Sequence, residues 1–578
     1  MRRARQHWAW VGLVATCLLI RAQGRLQADF VPPDSSGATA QNQNAQNPNH
    51  SAPANGVDDG FIIAGTVVNA VTGVPLARVE VTLADTRNRM RRIGMVTEEG
   101  GRFEFAHVPP GKYSLEGAKR GYITAAYQQH EQFSTAIVTG PEFETDKLVL
   151  RLMPMAMIWG HVLDESGEPV RSARVQLFTE SHSGGMSGVS RAGGANSDDR
   201  GYFDIGVLQP GTYFVSATGT PWYAVHPIAG QAENDGTNKN APSELDVAYP
   251  TTYYGGATES DGATPIELKG GEHREIDIRL SPVPSLHVTF QLPIGKDNQP
   301  GSGPVIMSML RKRVFDLTEF VPTEMSSASG VMEISGLIPG NYEVQATGAD
   351  GSVQLSEIDL ERNGQDLNQS EGTPLGKLKL TIKMAGGLPL PRQYFVRLED
   401  AKRKVVGFSP RNPTGEVTIE GIRTGQYSVV VTSPEGQFAV TRMISASGEA
   451  TAGEGVNIAP GADLDLTAEV VAGEVQVEGI AKKNGKPASG VMVVLIPKNP
   501  DAHAALLRRD QSDFDGTFSL RGVIPGSYTV VAVEDAWGSD WRKPEVLGRY
   551  VQHGQAVRVG DRMQGAMRLP EAVEVQSR

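Results

Sequence analysis

The feature that most constrains the fold is a signature that occurs five times after residue 60. In each copy a Gly is followed by apolar residues two and four positions later, then by a second Gly, and then by a Tyr that lies twelve residues after the first Gly. The copies are Gly101-Phe103-Phe105-Gly111-Tyr113, Gly201-Phe203-Ile205-Gly211-Tyr213, Gly330-Met332-Ile334-Gly340-Tyr342, Gly415-Val417-Ile419-Gly425-Tyr427 and Gly516-Phe518-Leu520-Gly526-Tyr528. Five matches at one spacing indicate an array of similar modules.

The signature has the periodicity of strands joined by a turn. Alternating apolar residues place their side chains on one face of a strand, and the Pro that precedes the second Gly in four copies is typical of a tight turn. Copy four has Thr424 instead. We therefore predict a β-hairpin in each copy. The Tyr at the start of the return strand should fill the core and bond a nearby backbone group through its hydroxyl, as in a tyrosine corner.

A second pattern lies upstream of the signature in copies one, two and five. It consists of an apolar strand with a central Gly, a turn that ends at Pro, and another alternating strand, for example around Gly65, Pro75 and Val79 in copy one. With the strands downstream this gives about seven short strands per unit, which is typical of a β-sandwich.

Taken together, these motifs resemble the carboxypeptidase regulatory-like domain. The resemblance is closest for copies one, two and five, weaker for copies three and four, and covers almost everything after residue 60. It implies a transthyretin-like (prealbumin-like) sandwich, related to starch-binding-domain-like folds, with an accessory role. It does not imply peptidase activity, because the regulatory domain of metallocarboxypeptidases lies beside the catalytic one.

We therefore predict an all-β protein, a tandem array of about five immunoglobulin-like (prealbumin-like) β-sandwich domains. A chain of 578 residues is too long for a single core, and its 66 Gly and 36 Pro suit short strands and turns. The Gly-rich stretch 183–196 is expected to be a mobile loop. The predicted ranges are a signal peptide at 1–28, a disordered linker at 29–60, sandwiches at 61–153, 154–282 (with a long insert), 283–375, 376–471 and 472–571, of which the third and fourth are degenerate, and a tail at 572–578.

The first residues predict export. Arg2, Arg3 and Arg5 precede an apolar run from Trp8 to Ile20, the layout of a signal peptide; an uncleaved N-terminal anchor is the alternative. The only cysteine, Cys17, lies in that run, so the mature chain would have neither disulfides nor a thiolate metal site. We expect a secreted, periplasmic or cell-surface protein of bacterial type, with no membrane span in the mature chain.

Charge and motifs argue against several functions. The net charge of −12 offers no basic stripe for nucleic acid. The sequence also has no His-x-x-Glu zinc pair, Gly-x-Ser-x-Gly elbow or phosphate-binding Gly-rich loop. The acidic pair Asp513 and Asp515 could bind calcium, but it lacks the spacing of a calcium loop, and turn formation explains it. We predict no enzyme activity, no catalytic residue, no cofactor and no metal site.

The candidate ligand-binding residues are aromatic. Tyr122, Trp222 and Trp537 each lie nine residues after a signature Tyr, with Tyr223 and Trp541 close by. Exposed rings at the tip of a sandwich could stack on sugars or enter a protein partner. The alternative is that these rings cap their own cores or the next domain.

Two classes of function remain open. The first is an exported, non-enzymatic repeat protein of the cell envelope that acts as an interaction or adhesive/spacer array; short junctions at 152–154 and 280–284 favour a semi-rigid chain of domains. The second is a carbohydrate-binding protein that uses the aromatic tips. An accessory chain of a peptidase or uptake system is a further alternative. The expected partner is a polysaccharide or an envelope protein.

Overall fold

The structure is a computed structural model. It describes residues 60–226, 243–291, 309–321, 324–328, 331–347, 353–366, 372–410, 415–434, 436–500 and 503–577. The predicted signal peptide and the linker up to residue 59 lie outside these residues. Across the described residues the regular structure is strand apart from one α-helix and a few short 3-10 turns, so the chain is all-β, as predicted.

Domain one forms two facing sheets, ordered β4-β1-β8 and β3-β2-β5-β6, with β7 also paired to β5. Its strands are β1 Phe61–Asn69, β2 Glu80–Asp85, β3 Arg92–Val96, β4 Arg102–Val108, β5 Gly111–Ala118, β6 Ala125–Ala126, β7 Ile137–Thr139 and β8 Leu148–Leu152.

Domain two repeats this plan, with sheets β12-β9-β17 and β11-β10-β13-β15. Its strands are β9 Ala156–Leu163, β10 Arg174–Ser181, β11 Gly188–Asn196, β12 Tyr202–Leu208, β13 Gly211–Thr218, β14 Val247–Ala248, β15 Thr252–Tyr253, β16 Ile266–Leu268, β17 His273–Glu275, β18 Ile278–Arg279 and β19 Val283–Pro284. The prediction of a loop at 183–196 is wrong for most of its length, because β11 pairs with β10 along that strand.

Domain three has sheets β23-β24-β20-β27 and β22-β21-β25-β26-β28. Its strands are β20 Leu286–Gln291, β21 Met309–Val314, β22 Leu317–Phe320, β23 Glu324–Ala328, β24 Val331–Leu337, β25 Gly340–Thr347, β26 Val353–Leu360, β27 Gln365–Asp366 and β28 Thr373–Pro374.

In domains four and five one strand joins the two sheets, so each forms a single nine-stranded sheet that curls around its core. Domain four consists of β29 Gly376–Met384, β30 Phe395–Glu399, β31 Val405–Pro410, β32 Glu416–Ile422, β33 Gly425–Ser433, β34 Gly436–Ser445, β35 Ala450–Ala452, β36 Gly455–Ile458 and β37 Asp463–Ala472. Domain five consists of β38 Val475–Lys483, β39 Lys486–Pro487, β40 Met492–Pro497, β41 Arg508–Gln511, β42 Thr517–Val523, β43 Gly526–Val533, β44 Gln555–Val559, β45 Gly565–Arg568 and β46 Val573–Gln576, with helix α1 Pro544–Val551. Within the described ranges, no helix is long and apolar enough to cross a membrane.

All five domains share the same pairings of their first strand. That strand pairs antiparallel with the signature strand and parallel with a strand near the end of its own domain, as β1 does with β4 and β8. The same two pairings recur for β9, β20, β29 and β38. The repeat in sequence is therefore a repeat in topology.

The predicted hairpins are wrong. β4 pairs with β1 in one sheet, whereas β5 pairs with β2 in the other, so the chain crosses between the sheets at the Pro-Gly turn. A β-bulge lies just before this crossing. It is marked by the residue six positions after the signature Gly, which has a positive φ in every domain. These residues are His107, Val207, Gly336, Gly421 and Gly522. A left-handed residue of this kind bends the strand and ends its pairing.

The tyrosine-corner prediction is confirmed. The hydroxyl of each signature Tyr donates to the backbone carbonyl four residues earlier, at 2.9 to 3.0 Å. The donors are Tyr113, Tyr213, Tyr342, Tyr427 and Tyr528. Burial raises the pKa of Tyr528 to about 12, so this hydroxyl keeps its proton and its hydrogen bond at any ordinary pH.

Each domain has a core of its own. The cores span Ile63–Leu152, Ala156–Leu280, Leu286–Leu360, Leu378–Val470 and Val475–Val573. Four of the predicted sandwich ranges enclose one of them, whereas the fifth core extends to Val573, two residues beyond the predicted range of 472–571. The exact boundaries stay a prediction. An additional apolar cluster at Phe178, Tyr253 and Val314 joins domains two and three.

Candidate functional site

Trp222 is the most exposed of the predicted ligand-binding residues, with 84% of its surface accessible. It follows the buried Pro221 and makes an edge contact with Tyr223, whose ring centroid lies 5.7 Å away at an angle of 88°. One face of the indole ring is therefore free to stack on a flat ligand.

Polar groups lie directly beside Trp222. The hydroxyls of Tyr223 and Tyr249 both donate to the exposed carboxylate of Glu165, the latter at 3.1 Å. Partial desolvation raises the pKa of Glu165, but hydrogen bonds from the two hydroxyls and from its own backbone together lower the pKa by more, so the net shift is downward. The patch thus combines a flat apolar ring with a fixed anion.

Tyr122 lies at the junction of domains one and two. It is half-buried against the core of domain one, its hydroxyl accepts from Asn69 Nδ2 at 3.3 Å, and its backbone bridges to Pro154. This placement holds the junction together and leaves little of the ring for a ligand.

Trp537 and Trp541 do not form an exposed tip. Trp537 stacks on His130 of domain one, with centroids 5.0 Å apart and planes within 5°. Trp541 is only 4% exposed and faces Gly185 of domain two, where an added Cβ would lie 2.4 Å from the indole ring. Trp541 also packs in an apolar cluster of its own domain, as the alternative interpretation expected, whereas the contacts with domains one and two were not predicted. The structure separates the five predicted residues into three places, and their binding of a ligand stays a prediction.

A contact that sequence reasoning missed joins the first domain to the last. This contact, the closing joint, is formed by residues 128–136 with Lys112 of domain one and by residues 509–517 with Trp537 of domain five. The backbone N–H of Phe514 donates to the carbonyl of Ala136 at 3.0 Å, and the N–H of Ala136 donates to Asp513 Oδ1 at 3.1 Å. The first bond joins the two backbones across the joint, and the second joins the backbone of domain one to a side chain of domain five.

Lys112 and Gln511 are the polar centres of the closing joint. The Lys112 ammonium lies 2.6 Å from Asp513 and 3.6 Å from Asp515. Burial raises the pKa of Asp513, and Lys112 offsets part of that rise. Gln511, 2% exposed, donates to the carbonyl of Gln128 at 2.7 Å and to Thr135 Oγ1 at 2.9 Å.

Arg509 joins the polar and aromatic parts of this joint. Its guanidinium makes a two-point contact with the carboxylate of Glu131, at 2.6 and 3.1 Å. It also lies over the rings of Phe133, Trp537 and Trp541, at 5.0, 5.3 and 5.5 Å from their centroids. Bidentate pairing with ring stacking is a geometry that Lys cannot reproduce.

A cluster of histidines and carboxylates lies at the joint of domains two and three. Asp246 places one carboxylate oxygen 3.0 Å from His226 Nδ1 and the other 2.8 Å from His287 Nε2. His287 Nδ1 lies 2.6 Å from Glu333. We call these four residues the histidine cluster. The chain separations of 20 and 41 residues leave no local motif by which the cluster could have been predicted.

Comparison with known families identifies one domain. Residues 62–139 match the family model of the carboxypeptidase regulatory-like domain, which confirms the resemblance for copy one. A search of curated proteins found no match.

Similar solved structures include two pilins. The chain is similar to the TIE protein of Bacillus anthracis, with 13% identity over 72% of this chain and 75% of that one and a TM-score of 0.17. It is also similar to the minor pilin of Streptococcus agalactiae, with 11% identity over 39% and 97% and a TM-score of 0.20. The major pilin subunit of Bacillus cereus shows 10% identity over 71% and 99% and a TM-score of 0.14. No function follows from similarities this low.

Proposed function

We propose that this chain is an exported, non-enzymatic repeat protein of the cell envelope that acts as a rigid interaction scaffold. The closing joint is the observation that supports this. Burying polar groups costs free energy unless they are paired, and Gln511 and Asp513 are paired with domain one. Such a joint favours permanent association of the first and last domains over a transient encounter.

Other joints add to this rigidity. Domain two meets domain five where Ser187 Oγ donates to Asp540 at 3.0 Å, and domain four meets it where the N–H of Ala505 donates to Glu454 at 3.2 Å. The described residues from Gly60 onward accordingly form one compact unit. The semi-rigid chain expected from the short junctions would thus gain a contact between its ends, and as a spacer it would be short and stiff.

A disulfide trap tests the closing joint. In a chain that also carries Cys17→Ser, we expect the pair Ala136→Cys and Phe514→Cys to form a disulfide under mild oxidation in most molecules. The backbone bond between these residues brings their Cα atoms into the range of roughly 4.4–6.8 Å that a disulfide needs. The measurement is a mobility shift on a non-reducing gel that dithiothreitol reverses.

The two single-cysteine variants are the controls and should show no intramolecular shift. A double variant that remains reduced, while circular dichroism shows an intact fold, would mean that domains one and five are apart in solution. The scaffold proposal would then lose its support.

Carbohydrate binding is the second candidate, and the exposure of Trp222 favours it. Sugars present flat apolar faces rimmed by hydroxyls. The Trp222 ring would stack on the apolar face, and the Glu165 carboxylate beside it would accept hydrogen bonds from the hydroxyls. The patch therefore fits a neutral polysaccharide with free hydroxyls.

A glycan array tests this candidate. We expect Trp222→Ala to weaken any signal at least several-fold, since a stacked ring contributes about 1 kcal/mol beyond its buried area. Phe408→Ala, which removes an exposed aromatic from domain four, is the matched control and should bind as the unmodified chain does. Equal binding by both variants, or no glycan bound at all, would refute this candidate and leave the scaffold proposal standing.

A further inference from the structure

We propose that the histidine cluster binds a divalent transition-metal ion of the zinc type at the joint of domains two and three. The donor atoms of His226, Asp246 and His287 all lie within 4.8 Å of one another. Imidazole nitrogen and carboxylate oxygen are the ligands that zinc takes in proteins besides thiolate. Zinc bonds of about 2.0–2.1 Å would place neighbouring donors roughly 3.4 Å apart, so small side-chain rotations suffice.

The carboxylates around His287 support a cation at this position. Its two nitrogens face carboxylate oxygens of Asp246 and Glu333, at 2.8 and 2.6 Å. Shielded carboxylates are stabilised by a positive partner, and a divalent ion beside Nε2 would balance both of them.

Glu333 occupies the position of an outer partner to a metal-bound histidine. Histidine ligands commonly donate their second ring N–H to a carboxylate, which fixes the tautomer and orients the ring. Glu333 is placed to accept such a bond from His287 Nδ1, because it lies on β24, which pairs with β20, the strand that carries His287. The geometry matches that arrangement without movement of the backbone.

Backbone contacts hold the ligands in place from two domains. Asp246 immediately precedes β14, which pairs with β19, and its carbonyl accepts from the N–H of Ser285 at 2.9 Å. The N–H of His287 donates to Asn363 Oδ1 at 2.8 Å. A site fixed by strands on both sides is preorganised for an ion.

The cluster is shielded but reachable. Its four side chains are between 6% and 14% exposed, and His226 lines a cleft of about 350 Å³ together with Tyr249 and Ser335. Shielding strengthens the attraction between ion and carboxylates, and the cleft provides a path of entry. Three protein ligands leave a fourth position for water.

Because domains two and three both contribute ligands, binding of the ion should stabilise their joint. An ion that binds the assembled joint and not the separated domains shifts the equilibrium toward assembly as its concentration rises. The proposed role is therefore structural, and it does not depend on the closing joint or on a sugar ligand.

Zinc titration of the chelator-treated full chain tests the proposal. We expect one zinc per chain by mass spectrometric metal analysis, and saturable heat in calorimetry with ZnCl₂. Asp246→Asn keeps the shape of the side chain while removing its charge, and should abolish stoichiometric binding. Glu333→Gln should weaken binding about 10- to 100-fold, the usual effect of losing an outer partner.

His161→Ala is the matched control. His161 lies on β9 of domain two with its Nδ1 3.4 Å from Asp277, a histidine and carboxylate pair outside the cluster, and its loss should leave the zinc affinity unchanged. Circular dichroism of each variant confirms folding. Absence of stoichiometric zinc in the unmodified chain, or equal affinity in the Asp246→Asn and His161→Ala variants, would show that the cluster is a hydrogen-bond network without a metal.

Discussion

Replacing Trp541 with alanine is expected to lower the free energy of unfolding of domain five by roughly 3–5 kcal/mol, the usual cost of removing a buried Trp. The ring belongs to an apolar cluster with Val531, Leu547 and Tyr550. It also covers Gly185 of domain two, where the N–H of Arg542 donates to the Gly185 carbonyl at 3.1 Å. The substitution therefore opens a cavity that two domains share.

Hydrogen exchange measured by mass spectrometry resolves this effect by domain. In Trp541→Ala, protection should fall in peptides from β43 and α1 and also in the segment around Gly185. Trp222→Ala is the matched control, because it removes the same side chain from an exposed position and should leave protection unchanged. Comparable losses of protection in both variants, or no loss in either, would contradict the buried environment assigned to Trp541 and the exposed one assigned to Trp222.

The strands of each domain could be predicted because their signal is local. Phe103 and Phe105 alternate, as the core positions of a strand must, and both are buried. The tyrosine corner is local too, since the hydroxyl of Tyr113 reaches only four residues back. Patterns within about a dozen residues therefore predicted the elements and their inward faces.

Strand pairing could not be predicted in the same way. An inward-facing strand, a turn and a second inward-facing strand fit a hairpin within one sheet and a crossing between two sheets equally well. The bulge residue decides between them, and Gly occupies that position in copies three, four and five as Gly336, Gly421 and Gly522. His107 and Val207 adopt the same conformation without being Gly, which hides the signal in two of the three copies where the motif is clearest.

The environments of the tryptophans depend on contacts with other domains. A repeated motif does not indicate which domains will be in contact. Trp222 and Trp537 hold equivalent positions after their signature Tyr, yet one is exposed and the other stacks on His130. The partner ring comes from another domain, and no spacing within copy five points to it. The histidine cluster escapes sequence analysis for the same reason, since His287 belongs to the domain after that of His226.

Gly160→Ala is expected to destabilise domain two by about 3 kcal/mol or more, at or above the upper end of typical overpacking costs. Gly160 lies in the centre of β9, where a Cβ would be only 1.5 Å from the backbone oxygen of Ile276. The N–H of Ile276 donates to the carbonyl of Trp159 at 2.8 Å, so the two segments cannot separate without losing that bond. A backbone oxygen, unlike a side chain, has no rotamer by which to move aside.

Gly188→Ala is the matched control for this change, because Gly188 begins β11 in the same domain and has no atom within 4 Å of an added Cβ. Alanine there should be neutral or stabilise slightly, by reducing the freedom of the unfolded chain. Hydrogen exchange in peptides from β9 and β12 should therefore rise for Gly160→Ala alone. Unchanged protection in that variant would mean that β9 and the segment at Ile276 are not in contact. The parallel pairing of the first strand in domain two would then be wrong, and the strand topology assigned to all five domains would be wrong as well.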